Sequence, residues 1–116
     1  MWRAVVSVAF VFANILPITL KFAHAGIVSG DSIEISKYYA LGDFGGGDVV
    51  FRFNGVKVSD CAGAWIQPSQ PGAKNLIATV LLAKANSTLL RVSLDDSTVW
   101  PGSSTKHCKV WAIGLM

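Results

Sequence analysis

The first 25 residues decide how much chain is left to fold. Arg3 gives a short positive start, Ala4 to Leu20 is an apolar run of about 17 residues, and Ala23-His24-Ala25 follows. A charged start, an apolar stretch and an Ala-x-Ala site are the marks of an export signal, here expected to be cut after Ala25. Removal leaves Gly26 to Met116, 91 of the 116 residues. That is enough for one small domain around a single modest core. The alternative is a retained N-terminal anchor, since the run is near the lower length limit for a membrane helix. Pro17 would kink such a helix, and Ala-x-Ala argues for removal. Leu76 to Ala83 is also apolar but far too short to span a bilayer. The expected location is therefore secreted or periplasmic, with no membrane span after cleavage.

Export changes the meaning of the two cysteines, Cys61 and Cys108. In an oxidising compartment a domain of this size is expected to join them in a disulfide. The closed loop of about 48 residues is worth roughly 4 kcal/mol in the chain-entropy model. A metal site is the weaker alternative. His107 is the one histidine after the leader, and two cysteines plus one histidine fall short of the usual four zinc ligands. No Cys-x-x-Cys marks a redox pair. Neither a metal nor a cofactor is expected.

Charge excludes a further class. Arg3 and Lys21 leave with the leader, so eight basic residues face seven acidic ones. The eight are scattered rather than clustered, which gives nucleic-acid binding no basic face.

The remaining chain reads mainly as strands. Ser32-Ile33-Glu34-Ile35-Ser36 alternates strictly, as a half-buried strand does, within Gly26 to Leu41. Gly45-Gly46-Gly47 lies in a turn or loop from Gly42 to Asp48. Asp48 to Ser59 is the clearest strand, with Asn54-Gly55 marking either a tight hairpin or a bulged bend. Cys61 to Ile66 is a third strand containing Trp65. After the Pro68-to-Gly72 punctuation the period becomes helical. Ala73, Leu76, Ile77, Val80, Leu81 and Ala83 share one face of a helix expected over Ala73 to Ala85, with Pro71 suited to its first turn. Thr88 to Trp100 and His107 to Met116 read as the last two strands, the former broken by a turn at Asp95-Asp96. Five strands with one helix between the third and fourth is the plan of an OB-fold-like five-stranded barrel.

Catalytic signatures are missing from this pattern. His107 is the sole candidate base, beside Cys108 at a strand start, where a surface or edge position is expected. No Gly-x-Ser-x-Gly elbow precedes a helix. Asp95 and Asp96 are neighbours whose side chains would point apart on a strand, which suits a general acid/base pair badly. The glycine run lacks the Lys-Ser/Thr of a phosphate loop. The chain is not expected to be an enzyme.

Aromatic residues are the stronger lead. Tryptophan and tyrosine join a flat apolar face to a polar handle, which suits sugar or peptide binding, although in a small barrel they also fill the core. At least two of Trp65, Trp100 and Trp111 are expected in the core, with Trp100, before Pro101-Gly102, the one exposed. Tyr38 and Tyr39 are adjacent, so both cannot face inward. Trp100, Tyr38 and Tyr39 are the candidate ligand-binding residues.

Trp65-Ile66-x-Pro68-Ser69, the helix from Pro71-Gly72-Ala73-Lys74, the strand Leu89 to Leu94, Trp100 and the closing Cys108-Lys109-Val110-Trp111-Ala112-Ile113 resemble short secreted bacterial proteins. These are similar to the B subunits of AB5 toxins, particularly the subtilase-cytotoxin and pertussis-like branch. The likeness covers roughly Val49 to Leu115 and rests on element order more than identities. It implies an OB fold, a homopentameric ring and recognition of cell-surface glycans. The N-terminal part matches no transferable sugar-binding motif, so no binding residue is carried over. Two functions follow as expectations. One is a secreted, non-enzymatic glycan-binding module that forms a ring. The other is a small monomeric periplasmic structural or inhibitor-like protein that binds a partner protein.

Overall fold

The computed structural model describes residues 26–116. The expected leader and its cleavage after Ala25 lie outside the described residues. Six strands and one long helix follow in the order β1 (Ile27–Ile33), β2 (Ile35–Ala40), β3 (Val49–Phe53), β4 (Gly63–Ile66), α1 (Ala73–Asn86), β5 (Leu90–Val99) and β6 (His107–Leu115). The strands form one mixed sheet in the order β1-β5-β6-β4-β3-β2. All neighbours are antiparallel except β4 and β6. A parallel pair needs a long crossover, which α1 and β5 supply. The fold is thus mainly β with one helix, and the sheet is not closed.

The expected first strand is two strands. Ile33 and Ile35 are both buried and only Glu34 separates β1 from β2, yet β1 pairs with β5 and β2 pairs with β3 at the opposite edge. The chain turns this corner with Ser32 at φ 56° and register shifts on both sides of Glu34. Asn54 holds the corner, its backbone N–H donating to the Glu34 carbonyl at 2.8 Å and its side-chain amide to the Glu34 carboxylate.

Two other expectations change. Asn54-Gly55 ends β3, but the strand that returns against β3 is β4, because a second turn, bonded both ways between Val58 and Cys61, intervenes. Asp95-Asp96 is not a turn and lies inside β5. The Asp95 carboxylate accepts hydrogen bonds from the Ser97 N–H, the Ser97 hydroxyl and the Thr98 hydroxyl, absorbing a register shift without ending the strand. Those bonds hold its pKa below the usual carboxylate range.

One face of the sheet carries the core, including Phe51, Ile66, Leu90, Leu94 and Val110. Removing each such side chain from water contributes roughly 1.5–3 kcal/mol. Helix α1 adds Ala73, Val80 and Ala83, with Leu76 and Ile77 packed at the margin. Leu81 is not on this face. It lies exposed beside Leu82, so the helix is apolar on its outer side as well. Pro71 precedes the helix, and Gly72 is the N-cap. The expected disulfide is present: Cys61, just before β4, is bonded to Cys108 in β6.

Candidate cleft on the outer face of the sheet

Residues paired across neighbouring strands share a face. Tyr39, Val50, Trp65 and Lys109 form one such row, and Lys37, Arg52, Gly63 and His107 form the next. Both lie opposite the face that buries Phe51 and Phe53. Val50, Trp65 and Trp100 make a small second core there, with Leu41 packed against it.

Trp100 anchors this layer. It is 9 % exposed, contrary to the expectation that it would be the open tryptophan. Gly102 folds back over the indole so closely that a Cβ would overlap the ring. Phe44 meets the indole edge-on at 5.3 Å and His107 at 6.0 Å. The indole N–H donates to Asp48 Oδ2 at 3.0 Å. Asp48 is 3 % exposed, and its Oδ1 has no partner. Among the described residues the exposed tryptophan is Trp111, at 66 %. A bulge in β6 re-aims it: Leu94 pairs with Val110 and Ser93 with Ala112, leaving Trp111 unpaired between them. Gln70 braces the bulge, donating to the Val110 carbonyl at 3.2 Å while accepting from the Gln67 N–H.

Between these rows lies a cleft of about 250 Å³. It is lined by Tyr39 and Leu41 at the end of β2, Val50 and Arg52 of β3, His107 of β6, and Trp100, Gly102 and Ser103 from the β5–β6 connection. Tyr39 is 52 % exposed and presents its ring to this space. Tyr38 sits on the opposite face against the main core, where burial pushes its phenol pKa up. The structure therefore brings Tyr39 and Trp100 together and leaves Tyr38 out.

Arg52 was missed as a site residue, and His107 was weighed only as a catalytic base and not as a binding residue. The signal was a single arginine alternating with Val50, Phe51 and Phe53 in an apolar strand. Among the described residues no carboxylate pairs with the Arg52 guanidinium. His107 is not the surface residue expected, at 4 % exposure. Gly63 makes its position possible, since a Cβ there would overlap the Phe51 carbonyl and lie 2.6 Å from His107 Cδ2. His107 Nδ1 is 2.9 Å from the Thr105 carbonyl. A carbonyl only accepts, so the proton of the neutral ring is on Nδ1 and Nε2 is bare. Burial pushes the His107 pKa down; the Thr105 carbonyl opposes that shift and the Arg52 charge adds to it.

Such a cleft can hold a small ligand between an aromatic ring, a guanidinium and a hydroxyl. Arg52 also borders a second groove of about 410 Å³ beside Gly55 and Lys57, so the cationic surface continues past the cleft. Among the described residues no group of three His, Cys, Asp or Glu side chains could hold a metal ion, and no helix is long and apolar enough to cross a membrane. No family model, curated protein or solved structure matches the chain.

Proposed function

We propose that this is a secreted, non-enzymatic binding module of OB type that recognises a glycan bearing an acidic group. The observation that carries the reading is the outer-face cleft, where Tyr39 offers an apolar ring beside the unpaired Arg52 guanidinium and the Ser103 hydroxyl. Sugars bind proteins through this combination of stacking on a ring and directed polar contacts. Arginine matches a carboxylate or sulfate in two-pronged geometry.

The barrel reading is supported by connectivity. Counting β1 and β2 as halves of one bent strand leaves five strands, with α1 between the third and fourth and a parallel pair between the third and fifth. That is the element order expected from the sequence for an OB barrel. The disulfide fits export to an oxidising compartment. A homopentameric ring of the toxin-B-subunit kind is the assembly we propose, drawing on the apolar outer side of α1 at Leu81 and Leu82.

Glycan-array binding by the wild type, lost in Tyr39→Ala and in Arg52→Met, tests the ligand. A blank array, or one unchanged by both variants, overturns it. Native mass by light scattering tests the ring, and a stable single-chain mass removes it. A second reading, a monomeric module for a partner protein, is favoured by Trp111, which a braced bulge turns outward. It predicts loss of partner capture in Trp111→Ala with glycan binding intact.

A further inference from the structure

We infer that the cleft binds its acidic group and a proton together: an anion seated on Arg52 draws a proton onto His107 Nε2, so affinity rises as pH falls. The inference rests on the cleft being the binding site.

The geometry supplies each part. Arg52 and His107 stand in one cross-strand row on β3 and β6, with β4 between them. Two strand spacings put their backbones about 10 Å apart. The residue between them is Gly63, and the His107 ring lies over it, with Nε2 3.0 Å from where a Cβ would stand, so the imidazole reaches across β4 toward the Arg52 strand. An anion in the cleft can therefore meet the guanidinium on one side and Nε2 of the imidazole on the other. Ser103 in the lining provides a neutral hydroxyl.

The tautomer determines where the proton goes. Nδ1–H already donates to the Thr105 carbonyl and keeps doing so in the imidazolium. Protonation then adds a donor at Nε2 without disturbing that bond. Nothing on the neighbouring elements competes for it. From β3 and β2 the charged residues of the row are Arg52 and Lys37, both cationic. Tyr39 brings a phenol. Between Trp100 and His107, the Lys106 ammonium is paired with Asp60 at 2.9 Å. On the far side of the indole, Asp48 is bonded to Trp100 Nε1. No carboxylate lines the cleft. Burial and the Arg52 charge disfavour imidazolium, and an anion between the two cations reverses that balance.

The test uses glucuronate and sulfate, neither of which titrates near neutral pH, added to the oxidised protein. Ring-proton NMR follows His107, and His107→Asn confirms the assignment of its signal. Saturating anion is expected to raise the His107 midpoint by at least one unit. Affinity should then rise several-fold from pH 7.5 to pH 5.5, about tenfold per unit of midpoint rise being the limit reached when the pH range spans both midpoints. In His107→Asn the affinity should be weak and flat with pH. Anion binding with equal affinity at both pH values and an unmoved His107 midpoint overturns the proton linkage alone. Failure of either anion to bind at any pH overturns the acidic-ligand reading of the cleft as well.

Discussion

Replacing Trp100 with phenylalanine isolates the cost of a buried carboxylate with a single partner. The Asp48 side chain is nearly sealed from water, Oδ2 receives only the indole N–H, and Oδ1 receives nothing. Phenylalanine keeps most of the ring that packs against Phe44 and Gly102 but removes the donor. Removing a neutral donor from a buried charged group costs about 1.5–3 kcal/mol, since no counter-charge is lost. The expected loss for Trp100→Phe is therefore about 2–3 kcal/mol, a large share of the 5–15 kcal/mol that holds a typical domain together. Asp48→Asn removes the charge while its amide oxygen still accepts from the indole, so it should cost about 1 kcal/mol or less. Placed on top of Trp100→Phe, Asp48→Asn should recover at least about 1 kcal/mol, because the orphaned charge is gone. Urea unfolding of the four oxidised proteins, followed by fluorescence or circular dichroism, closes the cycle. If Trp100→Phe costs under 1 kcal/mol, or if Asp48→Asn is as damaging as Trp100→Phe, the account of Asp48 as a charge held by one indole is refuted.

Three further outcomes are expected. Cys61→Ala with Cys108→Ala should lower stability by about 4 kcal/mol in urea, since the bond closes a separation of 47 residues; a loss under 1 kcal/mol would contradict this. Because His107 titrates lower in the folded chain than its ordinary 6.5, the unfolded chain takes up that proton first. Its contribution should therefore make stability fall as pH drops below about 6.5, and His107→Asn should flatten that part of a urea-midpoint profile measured without anions. Ser87 ends α1 at φ 53°, a left-handed conformation that suits glycine. Ser87→Gly should stabilise by about 0.5–1 kcal/mol, seen as a higher Tm, and a lower Tm would show that the serine side chain holds the cap.

What the sequence revealed and what it hid divide along range. The helix was legible because its inner face repeats locally, and the cysteine pairing because a chain with two cysteines leaves one choice. Leu81 was misplaced because the outer side of α1 is apolar too, which blurs the stripe. The corner at Glu34 was hidden because Ile33 and Ile35 keep one unbroken alternation across it. Trp100 read as open because Pro101-Gly102 is locally a turn. Its burial comes from Gly102 folding back and from Asp48, 52 positions away. Joining Arg52 to His107 takes the parallel register of β4 on β6, which no local pattern encodes.

The Cys61–Cys108 bond also divides the chain into two parts with different fates under a protease. Residues 62–107 lie inside the covalent ring, so a nick at the exposed Asn86-Ser87 or Pro101-Gly102 leaves the fragments tied together until a reductant is added. The Gly45–Gly47 segment lies outside it. A nick there frees a peptide carrying both β1 and β2, stripping the sheet of its two outermost strands in a single cut. On a non-reducing gel the first kind of damage is invisible and the second shows as a shortened chain.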